Sequence, residues 1–326
     1  MFPRNVIVSV LTGAMTVGLS WVSAALAQET YPSRLVTIVV PFAAGSGPDI
    51  FTRQLAEQLS VRLRKPFIVE NRGGANGIPA IRYVARSASD GYTLLLGTST
   101  TLAGNPHLFR NLGYDPTHLT SISIISSAPM VLAVAPNSGK QSLQDLIQAA
   151  KKNQGQLSYA SPNAGSQAVT ERLKLRAGID LLRVPYRATG EAITDLMGGR
   201  IDVLFADMPI VLSVVKNNQL RALAVSGSAR TSLLPDVPTM QELGFSDLVL
   251  TLWLGLFAPD QLAPNIRDTL DRAVASSIAD PSMRDRMATV GMEITYLNAG
   301  EATDFVKSEL QRWGEFVEGA GIKPQD

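Results

Sequence analysis

Four loops rich in small and hydroxylated residues hold the groups best able to do chemistry in this chain. They are Pro41-Phe42-Ala43-Ala44-Gly45-Ser46-Gly47-Pro48-Asp49, Gly97-Thr98-Ser99-Thr100, Ala160-Ser161-Pro162-Asn163-Ala164-Gly165-Ser166 and Tyr186-Arg187-Ala188-Thr189-Gly190. Each follows a strand-like run, and at such strand ends the first turn of a helix leaves backbone N–H groups without partners and a partial positive charge. Ser46, Thr98, Ser99, Ser161, Ser166 and Thr189 add hydroxyls, Asn163 adds an amide, and Gly45, Gly47 and Gly165 let a ligand approach the backbone. Donors of that kind suit a carboxylate. Asp49 and Asp207 can receive a ligand ammonium, a hydroxyl or a bound water, or can simply serve a helix start. Phe42 is a pocket wall or a core residue, and Arg187 beside Tyr186 is a carboxylate clamp or a solvated surface group. Any one loop alone also reads as structure, because Gly makes such turns and Ser, Thr and Asn cap helices.

Other chemistries find little support. Gly45-x-Gly47 lacks the third glycine of a dinucleotide fingerprint, Ile50 standing in its place, and neither a Gly-Lys-Ser/Thr loop nor a Gly-x-Ser-x-Gly elbow occurs. With no cysteine, thiolate nucleophiles, iron–sulfur clusters, Cys-based zinc sites and disulfides are excluded together. His107 and His118 are too far apart for a helical His-x-x-x-His pair, so no metal site and no cofactor are expected. Twenty-nine Lys and Arg against 28 Asp and Glu leave a formal charge of +1, without the basic stripe that a nucleic-acid partner requires.

The elements that must position these loops alternate short β-branched runs with amphipathic windows, the pattern of an α/β protein with mostly parallel sheets. Leu35–Val40, Phe67–Glu70 and Tyr92–Gly97 read as strands with helices between them, Phe51, Leu55, Leu59 and Leu63 marking the apolar face of the first. A second series reads strands at Val131–Val134, Leu157–Ala160, Leu182–Tyr186, Val203–Phe205 and Leu220–Val225, with helices from Ser142, Ser166 and Glu191. Two α/β lobes in tandem result, with two of the four loops from each, so their convergence forms a cleft between lobes. From Thr251 on, one strand-like run, Leu252–Phe257, precedes mostly helix that is expected to pack back on the first lobe.

Residues 1–27 carry Arg4, an apolar run from Val6, and Ala25-Leu26-Ala27. This is the layout of a secretory signal removed near Ala27, leaving a periplasmic chain. The rival is an uncleaved anchor, but Gly13, Gly18, Ser20 and Ser23 dilute the run.

Seven segments, taken in order, carry a resemblance. They are Pro41-Phe42-x-x-Gly45-x-Gly47-x-Asp49, Val69-Glu70-Asn71-Arg72-x-Gly74-Ala75, Asp90-Gly91-Tyr92-Thr93-Leu94, Leu157-Ser158-Tyr159-Ala160-Ser161, Val184-Pro185-Tyr186, Leu234-Pro235-Asp236-Val237-Pro238-Thr239 and Trp253-x-Gly255-Leu256-Phe257-Ala258-Pro259. From about Tyr31 to Ile322 the chain resembles the Bug proteins, the extracytoplasmic solute-binding components of tripartite tricarboxylate transporters. The resemblance implies a two-lobed periplasmic-binding-protein fold of type II, a monomer that closes over a small organic carboxylate held by Phe42, Tyr186 and the loop residues above. It implies lobe crossovers near Ala128 and Thr251, so that residues 28–128 with 252–326 make lobe 1 and 129–251 make lobe 2. Its implied partners are the membrane permease subunits of a transporter or a sensor kinase, with a hydrolase or isomerase on the same scaffold as the remaining alternative. Three departures fall in the second lobe: Ala188 where the family commonly has glycine, Phe205-Ala206 with Asp207 one place on where it has Phe-Asp, and Val169 where it often has histidine. They put in doubt the transfer of any one substrate.

Overall fold

The β-branched run Val36–Val40 forms β1, buried on both faces as a parallel-sheet strand must be. The structure is a computed structural model, described here for residues 31–289 and 291–325, so the signal segment assigned to residues 1–27 lies outside the described residues. In chain order, α1 (Gly47–Leu63) follows β1, then β2 (Phe67–Asn71), α2 (Ile78–Ala85) and β3 (Thr93–Thr98). A helical turn at Ser99–Gly104 runs into α3 (Asn105–Leu108), and a further turn at Pro116–His118 starts β4 (Leu119–Val134). Next come α4 (Leu143–Lys152), β5 (Ser158–Ser161), α5 (Ala164–Ala177), β6 (Leu182–Pro185), α6 (Thr189–Met197), β7 (Leu204–Asp207), α7 (Met208–Lys216) and β8 (Arg221–Val225). The chain ends with β9 (Thr251–Pro259), α8 (Pro264–Ile278), α9 (Pro281–Thr289), β10 (Glu293–Leu297) and α10 (Ala299–Gly319).

The first sheet runs β10-β4-β9-β3-β1-β2. Its β1, β2 and β3 are parallel, while β9 and β10 run antiparallel to their neighbours, so the sheet is mixed rather than mostly parallel. Strand β4 belongs to two sheets. Residues Leu119–Pro129 pair with β9, and from Met130 to Val134 the same strand lies between β7 and β8. The parallel pair β5–β6 joins this second sheet through the bridge between Tyr159 and Val203. The result is the two-lobed α/β fold that the loop pattern implies.

Pro129 sits where β4 changes partners, opposite Thr251, and has no N–H to give to a ladder. The next N–H, that of Met130, goes instead to Ser226 Oγ at 2.9 Å. The apolar run predicts this strand only from Val131, because Ser121, Ser123 and Ser126 interrupt it upstream. All three are buried in the sheet. The sequence pattern gives no sign of β10. Around the sheets, α8 lies on α1, and α10 packs on β4, on the Ser99–Gly104 turn and on α5 of the second lobe. The terminal helical run therefore does return to the first lobe, and it braces the second as well.

One motif is a packing device. Gly97 and Gly255 face each other across β3 and β9, and a Cβ on either would come within 2.6 and 2.9 Å, respectively, of the Phe257 ring. Two missing side chains thus seat one aromatic in the core.

Candidate ligand-binding site

Three helix starts and the two crossing strands enclose a cavity of about 390 Å³. The β1–α1 loop supplies Phe42, Ser46, Gly47 and Pro48, and the end of β3 supplies Thr98, Ser99 and Thr100. The second lobe supplies Asp207, Pro209 and Ile210 from the start of α7. Ala128, Leu252, Trp253 and Leu254, where β4 and β9 pass between lobes, line it too, together with Met292. Such a volume suits a small organic molecule. No lysine or arginine lines the cavity among the described residues, so any attraction for an anion comes from helix starts and hydroxyls.

The first-lobe donors are held by their own caps. Ser46 Oγ accepts from Asp49 N at 3.4 Å, and Thr98 and Thr101 close a capping box on the 99–104 turn. The N–H groups of Gly47, Ser99 and Thr100 open their helical turns and have no acceptor within them. Asp49 lies beneath the loop, off the cavity wall. Its Oδ2 accepts from Gly45 N at 2.8 Å and Arg53 Nε at 3.1 Å, and its Oδ1 from Asn71 Nδ2 at 2.8 Å. Burial acts to raise its pKa, but the hydrogen bonds from Arg53, Gly45 and Asn71 and the charge of Arg53 hold it below the usual carboxylate range. Gly45, at φ +81°, makes the turn that allows this.

Second-lobe candidates divide differently. Asp207 lines the cavity, and Asn163, which caps α5 through Ser166 N at 2.8 Å, donates to Asp207 Oδ2 at 3.3 Å. The others are off the lining. Ser161 Oγ accepts from Arg183 Nε at 3.2 Å, Ser166 Oγ donates to Ala160 O at 3.3 Å, and Tyr186 OH donates to Asp195 Oδ2 at 2.8 Å. Gly165 lies against Met130 and Trp313, and Thr189 is the buried first residue of α6. Six of the expected residues therefore meet around one cavity: Phe42, Ser46, Gly47, Thr98, Ser99 and Asp207.

The apolar wall went unread. Trp253 is its largest piece, and its indole N–H donates to Glu309 Oε2 at 3.1 Å, a fully buried carboxyl on α10 whose pKa burial raises. Trp253 stood in a recognisable motif. Met292 and Ile210 carried no signal that a single sequence reveals.

The match to known proteins covers most of this chain. The model of the tripartite tricarboxylate transporter family receptor matches residues 51–322. BugT of Bordetella pertussis is 34% identical over 306 residues, 93% of this chain and 94% of that one. The chain belongs to the tripartite tricarboxylate transporter receptor family. Members of this receptor family are periplasmic solute-binding proteins. Among solved structures, a Rhodopseudomonas palustris protein with adipate is 30% identical with a TM-score of 0.78, covering 90% of this chain and 100% of its own. MatC from Rhodopseudomonas palustris, with bound malate, is 28% identical with a TM-score of 0.73, covering 88% of this receptor and all of its own chain.

Proposed function

We propose that the protein captures a small organic carboxylate in the cavity between its lobes and hands it to a membrane permease. The observation that carries this reading is the convergence of hydroxyls and helix starts from the first lobe with the start of α7 from the second. Relatives that hold adipate and malate support the ligand class. One carboxylate of the ligand lies on Ser46, Thr98 and the N–H groups of Gly47, Ser99 and Thr100, and its carbon skeleton on Phe42, Trp253, Leu254 and Met292. Lobe 1 comprises residues 28–128 and 252–326 and lobe 2 residues 129–251, a division supported by the change of partners in β4 at Pro129 and the start of β9 at Thr251. The chain is exported, its signal is removed near Ala27, and it acts in the periplasm as a monomer that releases its acid unchanged.

Titration calorimetry of the folded protein against a panel of mono-, di- and tricarboxylates tests the reading. Saturable binding of at least one acid is expected, and mass spectrometry after incubation is expected to recover that acid intact. Binding of a sugar or a cation with no response to any acid, or turnover of the bound acid, would overturn it.

A further inference from the structure

Asp207 ends β7 and occupies the cap position of α7, yet its side chain makes no capping bond to that helix. Aspartate at such a position ordinarily accepts from the N–H groups of the first turn. Asp207 lines the cavity instead. One oxygen accepts from Asn163 Nδ2 at 3.3 Å, and the other, Oδ1, is sealed from solvent with no protein partner. A buried acceptor left unpaired is costly, and a polar group of the ligand is the natural occupant of such a position. Across from it the cavity offers the hydroxyls and helix starts of the first lobe, groups able to donate to an anion, and between the two ends it is apolar. Asp207 is also the only titratable residue lining it among the described residues.

Building on the receptor reading, we infer that Asp207 sets ligand specificity. It reserves its end of the cavity for a hydrogen-bond donor, so the protein selects acids with one ionised carboxylate, a short apolar body and a hydroxyl or ammonium at the far end. An acid ionised at both ends sets its second carboxylate against Asp207, and like charges at hydrogen-bond distance exclude each other unless a proton is shared between them. The proton is within reach, since burial pushes the Asp207 carboxyl up to about 6, offset in part by the bond from Asn163.

Among the described residues, no other charged side chain lines the cavity. The strands packed on β7 present Met130 and the uncharged residues of β5. The charges of α5 are engaged elsewhere, Glu171 with Lys174, and Arg172 and Arg176 with Asp247, while on α6 Asp195 holds Arg200. Glu191 lies in the first turn of α6 and Lys216 in the last turn of α7.

Four six-carbon probes separate the possibilities: hexanoate, 6-hydroxyhexanoate, 6-aminohexanoate and adipate, titrated into the wild type and Asp207→Asn at pH 8 and pH 6. For the wild type at pH 8, the hydroxy or the amino acid is expected to bind at least tenfold more tightly than adipate and than hexanoate. The better of the two identifies the donor. Adipate affinity is expected to rise severalfold from pH 8 to pH 6 in the wild type and to stay flat in Asp207→Asn, which also controls for titration of the ligand. At pH 8 the variant is expected to take adipate at least tenfold more tightly than the wild type does. Equal binding of adipate and the donor-bearing acids by the wild type at pH 8 would overturn the inference and leave the receptor reading intact. An unchanged preference in Asp207→Asn would do the same. If the variant does not fold, the probe ranking and pH response of the wild type still decide. Failure of every acid, in this series and in the wider panel, would instead count against the receptor reading.

Discussion

Asp49 and Asp207 look alike in the sequence, each after a strand-like run at a helix start, and each could serve a ligand or a helix. Packing separates them. Both oxygens of Asp49 are taken, by Gly45, Arg53 and Asn71, whereas Asp207 keeps one buried oxygen free. Asn71 lies on β2, far along the chain, and although Gly45 and Arg53 are each four residues from Asp49, spacing alone does not tell that all three converge on one carboxyl. The same limit applies to Ser161, Ser166 and Tyr186, whose polar groups are spent on Arg183, Ala160 and Asp195. A hydroxyl reads identically whether it serves the protein or a ligand. Asp49→Ala is expected to cost about 2–3 kcal/mol, since it strips a charged acceptor from three donors. Urea unfolding at pH 7 measures it. Because the folded pKa of Asp49 lies below its unfolded value, its stabilisation is complete above the unfolded value and is lost as pH falls through the folded one. The gap between wild type and variant should therefore narrow at acid pH, and a gap that stays constant or widens would refute the assignment.

At the scale of elements, the strand–loop–helix units of the first lobe were legible because propensity, periodicity and capping agree there. Ser46 and Ser142 cap the helices expected to follow them. Less legible were β4, whose buried serines and Pro129 disguise a 16-residue strand, and β10, which pairs with β4 from far along the chain. Gly97 and Gly255 illustrate what a motif can hide. Gly97 opens a loop that reads as a ligand contact and Gly255 stands in a family motif, but their lack of side chains seats Phe257. Alanine at Gly255 would place a Cβ 2.8 Å from Ser123 O, a backbone atom of β4 that cannot yield alone, and at Gly97 a Cβ 2.4 Å from Leu102 Cδ1. Each substitution is expected to destabilise by about 1–3 kcal/mol through overpacking. Chemical denaturation checks this, with Phe257→Ala in the Gly97→Ala background as the control. If the ring is what the new methyl meets, the two changes will be clearly non-additive.

At the scale of the whole molecule, two strands pass between the lobes beside the cavity, and they determine how the lobes can move. β4 changes partners at Pro129, and β9 enters the first sheet at Thr251, directly opposite, so bending is expected at this point, where the proline gives no N–H to the ladder. Rotation about that point would carry Asp207 and Ile210 toward Ser46 and Thr98 across the cavity they share. If ligand contacts made by both lobes are complete only when the lobes approach, a bound acid will shift the population toward a closed form. A saturating ligand is therefore expected to reduce the radius of gyration in solution scattering. Since the chain has no cysteine, thiols introduced at exposed Ile68 and Leu182, one in each lobe, can be spin-labelled without background. Their separation is expected to change with ligand, and two labels within one lobe, at Ile68 and Val61, should keep theirs. An inter-lobe distance that ignores a ligand whose binding calorimetry has established would mean that the cavity accepts its acid without closing.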